Sequence, residues 1–418
     1  MPLTKQQADD EEVHLANVVT TFKQYGPYSL NANNRRRKDI HTLPLADREL
    51  LSLLPYKQRI TDTDNAILAN AQFLDAVIAS PEIFSQGPGD AEDEFNEDDP
   101  EMRGNDQGDV DDGDHAQLSQ PSQSHSHSHG HSHGEPPSGP NVRKAEFKPS
   151  EHDMEKLRST LKQLVRDWSA EGKIERDACY EPMKDALLQH FSDIPQEERG
   201  NFRVLVPGSG LGRLAWDVAN LGFGCQGNEF SHYMLLTSFY MLNRTDQIEK
   251  HTIYPYVHSF SNIPDRAALL RPIKIPDVLP SSLTPDTDFS LVAGDFEEIY
   301  GKKSPGSDEP EEGHWDAVMT CFFIDTAKNV VNYLRIIHHI LAPGGVWINL
   351  GPLLWHWENN NTNDPSVELT LEEVKELARK IGFEISNERT IDTTYTNNAH
   401  SMLGYVYHAA FWTATKVI

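Results

Sequence analysis

The chain has 418 residues, of which 37 are Lys or Arg and 64 are Asp or Glu, giving a formal charge of −27 with 38% hydrophobic residues. A nucleic-acid binder usually carries a strongly basic surface, and no window supplies the roughly 18 consecutive apolar residues of a membrane-spanning helix, so neither partner is expected. The N-terminus MPLTKQQADDEEV has no apolar signal core. Cys179, Cys225 and Cys321 are odd in number and far apart, which argues for a reducing compartment, the cytoplasm first and the nucleus second, over a disulfide scaffold.

Residues 1–85 read as a helical region. One helix is expected around Glu12 to Tyr25, and a second over Thr61 to Ser80, where Ile67, Ala71, Leu74 and Ile78 recur at helical spacing. Between them Arg35, Arg36, Arg37 and Lys38 form a basic run, read first as a solvated turn beside a helix and second as an import signal or phosphate contact. Residues 86–148 form an acidic, His-rich linker. Within it, positions 90–114 hold thirteen acids against one base, Arg103, too polar a composition to bury a core. His125, His127, His129, His131 and His133 alternate with Ser and Gly and could chelate a transition metal. They lack the outer partners that orient a ligand, so no metal centre is expected.

The third segment, 149–418, begins with a capping box at Ser150 and Asp153. Met154, Leu157, Leu161, Leu164, Val165 and Trp168 then keep a helical period for about five turns. From Arg203 onward short β-rich runs (RVLVPG, CQGNEF, FSLVAGDF, WDAVMTCFFI, GGVWINLG) alternate with helical windows. That alternation predicts an α/β fold, a Rossmann-like doubly wound and mostly parallel sheet.

The run Val204-Leu205-Val206-Pro207-Gly208-Ser209-Gly210-Leu211-Gly212 is an apolar strand entering a glycine turn that opens a helix. Its spacing is G-x-G-x-G, and the third glycine of a dinucleotide fingerprint is replaced by Arg213. The better match is the turn with which class I methyltransferases hold S-adenosylmethionine, placing Gly208 and Gly210 at the cofactor. Glu229 ends the next strand, where an acid accepts hydrogen bonds from ribose hydroxyls. Asp295 and Phe296 end the third run, where an acid and an aromatic meet an adenine. Asp325 follows the fourth run and His356 the fifth. An N-cap is the plain alternative for Asp325, and a packed surface position for His356. Their shared location beyond the carboxyl ends of the strands, with Trp355 and Trp357 as an aromatic wall for a flat ring, favours a substrate mouth.

LKQLVRDWSAEGKIERDACYEP, VLVPGSGLGRLAWDVANLGFGCQGNEFS, GDFEEIY, CFFIDTAKNVVNYL and GGVWINLGPLLWHWEN together resemble the carnosine N-methyltransferase family over roughly residues 150 to 418. The resemblance implies transfer of a methyl group from S-adenosylmethionine to the imidazole of a histidyl dipeptide, giving anserine from carnosine. It implies cofactor contacts by Gln163, Arg166, Gly208, Glu229, Asp295, Phe296 and Cys321, and substrate contacts by Asp325, His356, Tyr395, Asn398 and Tyr407. Asp325 is expected to act as the base and His356 to orient the ring. Ser209 stands where an alanine is common in that family, Lys328 where a histidine is, and Trp355 and Trp357 replace a Tyr and a Phe. The acidic linker is outside the family pattern, and a homodimer is left open. Two alternatives are a protein- or peptide-histidine methyltransferase and a methyltransferase-like binding module without turnover.

Overall fold

Ser150 accepts the backbone N–H of Asp153, and Asp153 accepts that of Ser150, so the expected capping box opens a helix over Glu151–Trp168. A computed structural model describes residues 5–79, 147–284, 286–302 and 311–417. The linker histidines and acids at 86–146 lie outside the described residues.

Three helices precede that one: α1 (Lys5–Thr42), α2 (Leu45–Ser52) and α3 (Tyr56–Val77). The first is far longer than the expected segment from Glu12 to Tyr25, and Arg35 to Lys38 lie inside it, so the turn reading is corrected. These arginines are held by tertiary contacts invisible in the local sequence. Arg37 pairs with Asp64, and the Arg36 guanidinium lies 4.2 Å from the centre of the Phe260 ring. Leu15, Val18, Phe22 and Tyr25 of α1 and Ile67 and Leu74 of α3 share one buried cluster with Leu157, Leu161 and Trp168 of the capped helix, α4. The N-terminal helices therefore bury their apolar face against the segment that begins at residue 149.

After α5 (Lys173–His190) the chain enters a seven-stranded sheet. Its strands are β1 (Arg203–Pro207), β2 (Gly224–Glu229), β5 (Phe289–Ala293), β6 (Trp315–Cys321), β7 (Leu341–Gly351), β8 (Phe383–Thr393) and β9 (Tyr407–Lys416), in the order β5-β2-β1-β6-β7-β9-β8. Pairing from β5 through β7 is parallel, and β9 is antiparallel to both β7 and β8. Val204, Leu205 and Val206 are buried at the centre, as a strand covered on both faces requires. The helices α6 (Arg213–Asn220), α7 (His232–Arg244), α9 (Phe296–Tyr300), α10 (Val330–Ile340) and α11 (Leu371–Ile381) flank the strands. A separate hairpin, β3 (His251–Ile253) with β4 (Ile273–Ile275), encloses the short α8 (Arg266–Leu269). The order reverses between β1 and β6, and a doubly wound sheet opens its ligand crevice at such a reversal. Among the described residues no helix is long and apolar enough to cross a membrane.

Candidate active site

At the carboxyl end of β1 the chain turns through Gly208 (φ +64°), Gly210 (φ +55°) and Gly212 (φ +80°), left-handed conformations that glycine adopts without a steric penalty. A side chain at Gly208 would also meet the Phe323 ring at 2.5 Å. The turn is tied to the end of β2. The Gly210 N–H donates to Glu229 Oε2 at 2.9 Å, and the Phe230 and Ser231 N–H groups donate to Glu229 Oε1 at 3.0 and 2.9 Å. Burial raises the Glu229 carboxyl above its ordinary range, and these three donors work against that rise.

At the end of β5, Asp295 caps α9, one of its oxygens accepting the Glu297 and Glu298 N–H groups at 2.8 and 3.3 Å. The Phe296 ring is 3% exposed and packs edge-on against Phe323 and Tyr333 at centroid distances of 5.3 and 5.1 Å. That ring belongs mainly to the core, so it offers a flat ligand less than a free aromatic face.

Gln163 and Arg166 sit one turn apart on α4, where helical spacing brings them to one face. Both converge on Asp167. Gln163 Nε2 donates to Asp167 Oδ2 at 3.0 Å, Arg166 Nη1 donates to Asp167 Oδ1 at 2.9 Å and to the Tyr180 hydroxyl at 2.8 Å, and that hydroxyl donates to Asp167 Oδ1 at 3.0 Å. The other guanidinium edge reaches Cys321 Sγ at 3.9 Å. The adjacent Cys179 thiol and burial hold the Cys321 thiol well above its usual range, so it stays protonated.

Across the reversal, Asp325 lies in a short 3-10 turn after β6 and is 3% exposed. It does not cap α10, whose N-cap is Asn329. Asp325 Oδ2 accepts the Leu354 N–H at 2.9 Å, and its backbone carbonyl accepts the His356 N–H at 3.1 Å. Burial, opposed by the Leu354 bond, pushes the Asp325 carboxyl up to about 7. Phe322 holds φ +53°, a sparsely populated conformation for an aromatic residue. Its ring lies 4.7 Å from Tyr395 and 5.6 Å from Tyr407. Burial, and then the nearby Asp325 charge, raise the Tyr407 hydroxyl.

One cavity of about 950 Å³ is lined by both halves: Gln163, Arg166, Gly208, Gly210, Glu229, Asp295, Phe296 and Cys321 with Asp325, His356, Tyr395 and Tyr407. Asn398 is not in this lining. Its side chain accepts from Arg271 at 3.1 Å and from the His400 N–H at 3.1 Å, so it braces the turn that carries Tyr395. Of the two tryptophans expected as a wall, only Trp357 lines the cavity. Trp355 packs onto the core, its indole N–H donating to the Leu369 carbonyl. Lys328 pairs with Asp364 at 2.8 Å and lies 4.3 Å over Trp357. Asp167, Tyr180 and Phe322 carry much of the geometry without having been singled out. All three lie inside the runs LKQLVRDWSAEGKIERDACYEP and CFFIDTAKNVVNYL that carry the family resemblance, and Asp167 and Phe322 directly follow Arg166 and Cys321. Among the described residues no group of three His, Cys, Asp or Glu is placed to hold a metal ion.

A parallel sheet reversing beside a glycine turn, with acids closing two further strands, defines the Rossmann-like fold of class I methyltransferases. The sequence model of the family described as carnosine N-methyltransferase matches residues 143–417, and the chain belongs to that family. It is 48% identical to carnosine N-methyltransferase of Rattus norvegicus over 270 residues, covering 64% of this chain and 64% of the relative. Against carnosine N-methyltransferase of Schizosaccharomyces pombe it is 46% identical over 268 residues, 62% of this chain and 70% of the relative. Against carnosine N-methyltransferase unmet of Drosophila melanogaster it is 33% identical over 411 residues, 98% of this chain and 80% of the relative. The match thus spans about 64% of the length of the rat relative. Among solved structures, a SAM-dependent methyltransferase from Aquifex aeolicus aligns with a TM-score of 0.35 at 11% identity, covering 62% of this chain and 98% of the other.

Proposed function

We propose that the chain transfers a methyl group from S-adenosylmethionine to the stem-side imidazole nitrogen of carnosine or a related histidyl dipeptide, giving anserine in the first case. The observation that carries this reading is the placement of the buried, hydrogen-bonded Asp325, next to His356 and the aromatic wall of Phe322, Tyr395 and Tyr407, in the same cavity as the glycine turn and Glu229. Family membership supports it, since the relatives reported above are carnosine N-methyltransferases.

The residues present fit the proposed donor. Gly210 lines the cavity in a left-handed conformation, with Gln163 Nε2 3.7 Å from where its Cβ would stand, so the backbone there faces the cavity beside a side-chain amide. The Ser209 hydroxyl is buried in the cavity wall without a hydrogen-bond partner among the described residues. Glu229 would hold the ribose, Asp295 with the backbone beside Phe296 the adenine, and Gln163, Arg166 and Cys321 the amino-acid end. When bound, the donor supplies a methyl carbon activated by a sulfonium.

The chain itself must choose which imidazole nitrogen is free, because the neutral ring has one N–H and one lone pair. Asp325 accepts the N–H of the outer nitrogen and leaves the stem-side lone pair exposed. As positive charge develops on the ring, a carboxylate whose pKa lies near 7 is matched to stabilise it and then to take the proton. Tyr395, Tyr407 and Trp357 confine the ring plane, which contributes orientation and excludes water. His356, tied to Asp325 through the backbone, supports the ring's position.

The test is incubation of the purified protein with methyl-labelled S-adenosylmethionine and carnosine, with mass spectrometry placing the label. Label on the stem-side nitrogen supports substrate and tautomer together. Label on the outer nitrogen refutes the role given to Asp325. Donor binding without a labelled dipeptide refutes the substrate and favours histidine in longer peptides or proteins.

A further inference from the structure

We infer that Glu175 is a positioning residue for the methyl acceptor: it holds Tyr395 in the cavity wall without touching the acceptor itself. This rests on the acceptor site proposed above. Glu175 lies in the first turn of α5, and a glutamate there has a plain explanation as a favourable charge at a helix N-terminus. Its hydrogen-bond partners lie across the fold, in a segment 219 or more residues away. The carboxylate accepts the Thr394 hydroxyl at 2.5 Å, the Thr396 N–H at 2.6 Å and the Asn397 N–H at 3.0 Å, all in the turn that follows β8.

Thr396 has φ +50°, a conformation that a β-branched residue rarely adopts, and it is buried. Such an outlier persists only where the surroundings over-determine it. Successive N–H groups turned to one side through a left-handed residue form a small concavity for an anion. Here a carboxylate of the same chain, 12% exposed, fills it. Tyr395 lies between Thr394 and Thr396, both of which Glu175 grips, with its ring 4.7 Å from Phe322 and under the Arg166 guanidinium at 4.9 Å. Beyond the turn, Met402, Leu403, Tyr405 and Val406 are exposed, so that side of the loop has little packing to fix it. Arg166 approaches Glu175 only to 3.8 Å, whereas Asp167 and Tyr180 hold it at 2.9 and 2.8 Å. Loss of Glu175 therefore leaves the guanidinium anchored.

The isosteric Glu175→Gln keeps the packing but loses the charge and one acceptor. We expect the KM for carnosine to rise about tenfold, the order of a charged hydrogen bond, with kcat within about threefold and S-adenosylhomocysteine affinity by calorimetry within about twofold. In a Tyr395→Ala background the same change should add nothing to KM, because the two act as one unit. Amide hydrogen exchange of residues 394–398 in the ligand-free protein should be slow in the wild type and accelerate in Glu175→Gln. Unchanged exchange and KM, additivity with Tyr395→Ala, or an equal loss of S-adenosylhomocysteine affinity would each overturn the inference. Absence of wild-type transfer to carnosine refutes the proposed function alone, and exchange at Thr396 and Asn397 still decides for or against the clamp.

Discussion

The backbone carbonyl of Asp325 accepts the N–H of His356 at 3.1 Å, so two residues from turns after different strands are fixed relative to each other before any ligand arrives. Leu354, two residues earlier, donates its N–H to the Asp325 carboxylate at 2.9 Å and strengthens the tie. The carboxylate is thereby oriented by backbone, the stiffest partner available, which is what a positioned base requires.

Asp325→Asn preserves that shape and removes the proton acceptor. Transfer to carnosine should fall by about 10²- to 10⁴-fold, the range of general base catalysis, while donor affinity by calorimetry stays at the wild-type value. Near-normal turnover in this variant excludes Asp325 as the base.

The same carboxyl, pushed up to about 7 by burial, gives a signed pH dependence. Activity should rise with pH through about 7, from both ionisation of Asp325 and neutralisation of the acceptor imidazole near 6.5. Folding responds in the opposite direction. The folded state holds this proton between about pH 4 and 7 where the unfolded chain has released it, so the carboxyl's contribution to stability is complete below about pH 4 and is lost as pH rises through about 7. Asp325→Asn, neutral throughout, should gain about 2 to 3 kcal/mol relative to wild type between pH 5 and pH 8 in denaturant melts. A pH-independent difference would refute the raised value.

Gly208→Ala tests the turn. The added methyl faces a left-handed backbone and a ring carbon 2.5 Å away. Donor binding should weaken at least about tenfold and stability should fall by about 1 to 3 kcal/mol, the cost of overpacking and strain. Unchanged titration calorimetry would show that this turn does not meet the donor.

Asp167→Asn removes the charge on which Gln163, Arg166 and Tyr180 converge, leaving a guanidinium 3% exposed without its closest anion. Breaking a buried pair in this way costs about 3 to 5 kcal/mol, read as a lowered Tm. Donor affinity should drop with it, and carnosine KM at saturating donor should change little.

Much of this site is legible in the chain because it is local. The G-x-G-x-G turn, Glu229 closing β2, Asp295 closing β5 and the capping box at Ser150 and Asp153 each depend on a strand end or helix start that neighbouring residues specify. Arg35 to Lys38 mislead because no local rule separates a solvated basic turn from a helix whose arginines reach Asp64 and Phe260. Trp355 and Trp357, two residues apart, look equivalent in sequence, yet one packs on the core and one on the cavity.

By itself the sequence determined the parallel sheet, its glycine turn and the order in which the acids meet the carboxyl ends of the strands, since periodicity and turn chemistry act over a few residues. Only the tertiary structure decided what those groups face. The convergence of Gln163, Arg166 and Tyr180 on Asp167, the brace of Asn398 on Arg271, and the grip of Glu175 on a turn 219 or more residues away each join segments distant in the chain. Such contacts form when the crossovers pack onto the sheet and exclude water, a step that no short window of residues encodes.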